Sequence, residues 1–282
     1  PRRVVTSAVE SLAVLDPARR LADEVVLVPV DSVGRLDLDA FAEALDQPTA
    51  IACVQAANAE VGTRQPLAEA AAVTRARGVP LVAMAVQVIG RDPMPQHWDV
   101  LTASARDWGG PAGVGILVVR PTVRWTPDQN PDRGWVGGFP DIAGAAAAAT
   151  ALEYLAPVAE AESHRLSAMV DRLRRDLPTL VPGVTVAGDP HDRLPHILTF
   201  TCDAVPGELL VTELDRRGIS VASGSACTSD TRMASHVLEA MGLASAASIR
   251  VSLPLGCDEA SVDAFVRELP PAVSAVADRI GT

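Results

Sequence analysis

The sequence predicts an α/β protein: a mostly parallel sheet sandwiched by helices, followed by a second, smaller α/β domain. Two observations carry this. Short apolar runs alternate with helical patterns through the first half, the pattern of parallel strands covered by crossover helices. Near Pro157 the alternation gives way to a long charged helical stretch and a new set of short strands. The boundaries are set at 1–156 for the larger domain and 157–282 for the smaller.

Taken in order, residues 3–6, 24–29, 50–55, 80–85 and 100–104 read as strands, and 8–15, 37–45 and 67–77 as helices. Gly78 and Pro80 end the third helix. The run 113–119 follows its predecessor too closely for a crossover, so it reads as an antiparallel strand. Residues 121–139, with Pro, Gly, Asp and Asn, read as a long loop, and 141–155 as an alanine-dense helix suited to close packing. In the smaller domain a helix at 159–177 precedes strands at 184–187 and 196–201. A helix at 207–217, a strand at 219–222, a helix at 234–241, a strand at 248–253 and an amphipathic helix from Asp258 complete it.

Composition limits the function. The chain has 282 residues, enough for a large core, with 48% hydrophobic and 21% charged residues. A net charge of −11 argues against a general nucleic-acid binder, which needs a basic surface. No apolar run of about 18 residues and no signal-like start are found, so a cytoplasmic protein without a membrane role is expected. Pro1 suits a start from which an initiator Met has been removed. Cys53, Cys202, Cys227 and Cys257 show no C-x-x-C spacing, and the five histidines show no metal spacing. Cys53 reads as a core residue on a strand, Cys202 and Cys257 as inert, and the histidines as structural. All 24 basic residues other than histidine are arginines, so the chain contains no lysine. Arginine stays protonated and cannot replace lysine as a Schiff-base nucleophile.

Seven blocks then stand in a telling order: VVTSAVESLAVL, VPVDSVGRLDLDAFAEAL, NAEVGTRQPL, AVQVIGR, GPAGVGIL, SGSACTSD with SHVLEAMG behind it, and SIRVSLPLG. In order and spacing they resemble the cysteine desulfurases, class V aminotransferases of the fold-type I group that use pyridoxal phosphate (PLP). The resemblance implies a role for each matched position. Ser11 falls where the family has a histidine stacked on the cofactor ring, and Met84 where an aspartate pairs with the ring nitrogen. Arg106 and Asp107 fall on the histidine and the cofactor lysine. Asn58 and Gln87 match residues that touch the ring oxygen, and Ser104 a phosphate-binding hydroxyl. Cys227 matches the cysteine that accepts sulfur, and Arg250 the arginine that binds the substrate carboxylate.

The resemblance also implies an N-terminal segment that supplies a phosphate-binding turn, an edge strand and much of a dimer contact. That segment is expected to be missing here, which leaves an exposed sheet edge for a partner to cover. The expected function is that of a PLP-free, non-catalytic desulfurase homologue in sulfur trafficking, acting as partner, scaffold or persulfide relay through Cys227. No cofactor is expected, and the partners are a second copy, a sulfur-transfer protein or an active desulfurase. Two alternatives stay open: a PLP-dependent desulfurase completed by another chain, and a module that binds another small molecule in the emptied cleft. Cys227 is either a carrier or part of a loop kept for its shape. Arg250 either pairs with Asp107 or is a surface residue paired elsewhere.

Overall fold

The computed structural model of the protein describes residues 2–125, 140–223, 235–243 and 245–281. Strands β1 (Arg3–Ser7), β2 (Glu24–Val28), β3 (Ile51–Cys53), β4 (Leu81–Met84), β5 (Val100–Ser104) and β6 (Gly115–Val119) form one sheet. Its order is β2-β1-β3-β4-β5-β6, parallel throughout except for the antiparallel last pair. Helices α1 (Leu12–Leu21), α2 (Leu38–Ala44) and α3 (Leu67–Ala76) make the crossovers, as the alternation predicts. Phe41, Leu81 and Leu101 are almost fully buried in the core these elements share, each burial stabilising by roughly 1.5–3 kcal/mol.

After the sheet come α4 (Ile142–Leu155) and α5 (Ala159–Leu180), then the antiparallel sheet of β7 (Val184–Val186), β8 (Ile197–Cys202) and β9 (Ser248–Ser252). Helices α6 (Gly207–Arg216), α7 (His236–Ala240) and α8 (Glu259–Ile280) complete the described elements. A second apolar cluster, with Leu173, Phe200, Leu210 and Phe265, lies between this sheet and α5, α6 and α8. A third and smaller one, with Val9, Val61, Val237 and Met241, joins loops of the large sheet to α7.

Several boundaries differ from the sequence reading, each for a local reason. The first helix starts later than 8–15, because Ser11 caps it by accepting from the Ala13 amide. Helix α5 runs three residues past the expected end, through Pro178. The strand expected at 219–222 shrinks to one bridge, in which Ala222 and Arg250 exchange both backbone hydrogen bonds. Most of the loop expected at 121–139 lies outside the described residues.

Strand β6 is an edge of the large sheet, and its Ile116, Leu117 and Val118 are exposed. Helix α4 buries Ala148 and Leu155 against Trp108 and Gly90, while Ile142 and Tyr154 on the same helix are exposed. Among the described residues no strand pairs with the outer side of β6, and apolar edges of this kind are the ones proteins cover.

The turn after β7 locks the smaller sheet to the larger one. Arg174 of α5 donates to the carbonyl oxygens of Ala187 and Gly188, both at 3.0 Å. Gly188 has φ +78°, and a Cβ there would sit 2.3 Å from the Val61 carbonyl oxygen. Only glycine meets both conditions without strain. Gly188→Ala is therefore expected to lower unfolding free energy by about 3 kcal/mol, read from urea denaturation. An unchanged midpoint would contradict this close approach.

Candidate functional site

The candidate site gathers where the parallel strands end and the smaller sheet leans over them, the usual place for a ligand in an open α/β sheet. After β1 the chain buries Glu10 completely. Its carboxylate accepts from the Ser11 amide at 3.0 Å and the Gln55 amide at 2.7 Å, which ties the end of β1 to the end of β3. Burial pushes the Glu10 carboxyl up to about 7 against those two hydrogen bonds. Ser11, expected at the ring-stacking position, spends its hydroxyl on capping α1.

After β3, Asn58 is buried with both ends of its amide engaged. The Nδ2 donates to the Val9 carbonyl at 3.1 Å, and Oδ1 accepts from the Glu60 and Val61 amides at 2.8 and 2.9 Å. This braces the turn NAEVG, whose Glu60 carboxylate is buried with neither oxygen hydrogen-bonded. Its titration is raised by burial, opposed by the Ser235 hydroxyl and by the charges of Arg250 and His236.

After β4, Met84 is buried and Gln87 takes φ +67°, the one described non-glycine residue with positive φ. The Gln87 amide N–H donates to Asp107 Oδ2 at 3.1 Å, and its Nε2 donates to Asp107 Oδ1 at 3.2 Å. Its Oε1 lies 3.0 Å from His196 Nε2 at the start of β8. That oxygen can only accept, so Nε2 is assigned the proton. Burial, helped by the Arg91 charge, drives His196 down to about 3, so the ring is neutral. Its Nδ1 is buried without a partner.

After β5, Ser104 precedes the 3-10 turn Ala105–Trp108 and caps none of its amides. Arg106 is exposed, while Asp107 is only 3% exposed. Burial raises the Asp107 carboxyl, against the Gln87 amide and the charges of Arg106 and Arg91. Arg91 also donates through Nε to the Asp107 carbonyl oxygen at 2.9 Å.

These contacts correct one expectation. Asp107 pairs with Gln87 rather than with Arg250, because the left-handed turn at Gln87 delivers two donors to it. Arg250, half-buried on β9, is instead near enough to the Glu60 carboxylate for its charge to favour the ionised form, and its Nε is buried with no hydrogen-bond partner. The structure thus joins Gln87 to Asp107 and sets Met84, Ser104 and Asn58 at or just beyond the ends of the neighbouring strands β4, β5 and β3. Sequence reasoning missed Glu10, Glu60, Arg91 and His196. The two glutamates stood inside motif blocks, at VESL and NAEVG, and an acid among small and apolar residues was the available signal. Cys227 lies outside the described residues. The other three cysteines are buried. Burial pushes the Cys53 thiol up to about 12 and raises those of Cys202 and Cys257.

Glu10 makes stability depend on pH. Its folded-state titration lies above the ordinary 4.5, so its contribution is fully present below that value and lost as pH rises through about 7. The loss amounts to roughly 3 kcal/mol from this group. The difference in unfolding free energy between wild type and Glu10→Gln should therefore change by that amount between pH 4.5 and 8, moving in the variant's favour as pH rises. A constant difference across denaturation curves at those pH values would refute the buried acid.

Comparison with known proteins places this cleft. The aminotransferase class-V family model matches residues 1–265. Cysteine desulfurase NifS of Azotobacter vinelandii is 33% identical over 285 residues, covering 97% of this chain and 71% of that protein. A cysteine desulfurase of Sinorhizobium fredii is 35% identical over 284 residues, covering 96% of this chain and 73% of that protein. The solved structure of a NifS-like protein superposes with a TM-score of 0.86 at 27% identity, covering 97% of this chain and 75% of that one. These matches overturn the expectation of no cofactor. PLP is the cofactor of the family that the motif blocks resemble, and neither the matches nor the fold show PLP binding lost. The side chains present do not fit its attachment as an aldimine, since the matched lysine position is the hydrogen-bonded Asp107 and the chain has no lysine. Matched along nearly its whole length in sequence and in fold, the chain belongs to the aminotransferase class-V family, among the cysteine desulfurases.

Proposed function

We propose that this member of a sulfur-transfer family works as a sulfur relay: Cys227 takes sulfur from a donor persulfide and passes it on, and Arg250 receives a carboxylate of the donor. The observation that carries the reading is the contrast among the four cysteines. Cys227 stands in SGSACTSD, a run of small and polar residues, whereas Cys53, Cys202 and Cys257 are buried with raised thiols. Sulfur exchange needs a thiolate within reach of a partner.

The transfer balances without a further oxidant. The Cys227 thiolate attacks the terminal sulfur of the donor persulfide, the donor's S–S bond breaks, and the donor leaves as thiolate. Cys227 then holds the persulfide, and the same exchange in reverse delivers sulfur to an acceptor. Cleavage of the C–S bond of free cysteine is assigned to a different protein, because a carboxylate occupies the matched lysine position.

A protein partner follows from this role. The exposed β6 edge and the exposed Ile142 and Tyr154 of α4 support either a second copy or a sulfur-transfer protein as that partner. Specific interfaces bury roughly 1,200–2,000 Å² in total. Light scattering of the purified chain at micromolar concentration is expected to give a dimer. A clean monomer, with or without an active desulfurase, would count against any partner at this edge.

Under limiting thiol reagent Cys227 should label first, and Cys227→Ser should remove the fast phase. Incubated with an active desulfurase and cysteine, the wild type should gain about 32 Da, one sulfur atom, on the peptide holding Cys227. Equal labelling of Cys53, Cys202 or Cys257, or no mass gain from any persulfide donor, refutes the relay. Release of alanine from cysteine by the chain alone would return C–S cleavage to it.

A further inference from the structure

Glu60 and Arg250 form an unusual pair. The carboxylate is 4% exposed, and neither of its oxygens closes a hydrogen bond, although the Ser235 hydroxyl lies toward it. The guanidinium Nε of Arg250 is buried and finds no acceptor. The Arg250 charge favours ionised Glu60, yet the two do not close into a hydrogen-bonded salt bridge. Buried ions left in this condition cost several kcal/mol unless something completes them.

The surroundings hold both groups in place. Asn58 fixes the Glu60 backbone through Oδ1, and the Thr199 hydroxyl of β8 donates to the Glu60 carbonyl oxygen at 2.6 Å. Thr199 is the register partner of Arg250 on β9, so one strand pair carries both anchors. The remaining groups toward the Glu60 carboxylate come from the start of α7. They are Ser235, whose hydroxyl accepts from the Leu238 amide, and His236, whose Nε2 lies 2.8 Å from the Glu10 carbonyl oxygen.

We propose that Glu60 is the internal counter-ion of Arg250, and that an incoming carboxylate displaces it and leaves a proton on Glu60. The proposal rests on the reading of Arg250 as the carboxylate contact. A ligand carboxylate gives the Arg250 Nε the acceptor it lacks. It also places two carboxylates beside one guanidinium, and of two such acids in one site one becomes protonated. Protonated Glu60 gains a donor that it can turn toward the ligand. The arrangement makes binding of an acid ligand a proton-coupled event, favoured at lower pH and opposed by ionised Glu60 at higher pH. Glu60 is a positioning residue here, acting through Arg250.

The test uses propionate as probe, ionised at every pH used, titrated into the full chain from pH 6 to 8.5 with ligand-observed NMR. Wild-type affinity is expected to fall with pH, approaching about tenfold per pH unit once Glu60 is ionised. Calorimetry in buffers of different ionisation enthalpy should show proton uptake on binding, a reading that needs no variant. Glu60→Gln should flatten the pH profile and bind about tenfold more tightly than wild type at pH 8. His236→Asn and Glu10→Gln, the controls for the titratable neighbour and for the buried acid that titrates in the same window, should keep the wild-type slope. A flat wild-type profile without proton uptake, a wild-type slope in Glu60→Gln, or loss of the slope in His236→Asn or Glu10→Gln overturns the proposal while leaving Arg250 as the contact. Binding that survives in a folded Arg250→Gln variant overturns the reading of Arg250 and the proposal with it.

Discussion

Gln87 is held in a left-handed backbone conformation by the Asp107 carboxylate, and the rest of the cleft is arranged around that bond. A non-glycine residue at φ +67° is strained by about 1–3 kcal/mol and persists only when its surroundings over-determine it. Asp107 does this with two hydrogen bonds, one to the backbone of Gln87 and one to its side chain. The turn so fixed points Gln87 Oε1 at His196, which starts β8, and brings Arg91 back over the Asp107 carbonyl oxygen. One carboxylate therefore couples the ends of β4 and β5 to the smaller sheet. Replacing it with a cation would leave the Gln87 donors facing a donor, which is why the matched lysine position cannot be refilled alone.

Further inside, the protein keeps charge where charge is expensive. Glu10 ties β1 to β3 through two amides, and Glu60 keeps a carboxyl without a hydrogen bond within reach of the Arg250 charge. Arg193, almost fully buried, reaches Asp171 of α5 and its own neighbour's carbonyl oxygen. Removing one member of such a set costs more than forming it gains, because the survivor is left ionised in a poor solvent for ions. The cleft thus depends on its polar groups being correctly paired rather than on apolar packing. The apolar clusters lie on either side of it.

The elements of the large sheet were legible because each strand is a short apolar run between turn residues, and that signal does not depend on distant contacts. The antiparallel β6 was legible from spacing alone. Boundaries that depended on a cap or on one bridge, as at Ser11 and Ala222, were not. The same division runs through the site. Family blocks encode position, and Asn58, Gln87 and Asp107 follow β3, β4 and β5 in turn. Pairing was not encoded. Nothing in IRVSL says that Arg250 looks at Glu60 rather than Asp107, since that choice follows from the register of β8 with β9 and from a turn at Gln87. The expectation of no cofactor fails for a different reason: a missing residue type is not a missing ligand.

The placement of the cysteines closes the argument about sulfur. A thiol buried in an apolar cluster titrates high, so at neutral pH it is neither a nucleophile nor an acceptor. Cys53 lies on a central strand of the parallel sheet, beside the carboxyl of Glu10, and any charge on Glu10 raises its thiol further. Cys202 and Cys257 belong to the second apolar cluster. Sulfur delivered by another protein must reach its acceptor through solvent or across an interface, and a core thiol allows neither. A sulfur-transfer role in this chain therefore converges on the SGSACTSD segment. Four residues separate the segment from Ser235, which with His236 stands beside Glu60, so the proposed sulfur carrier and the proposed carboxylate contact lie close along the chain.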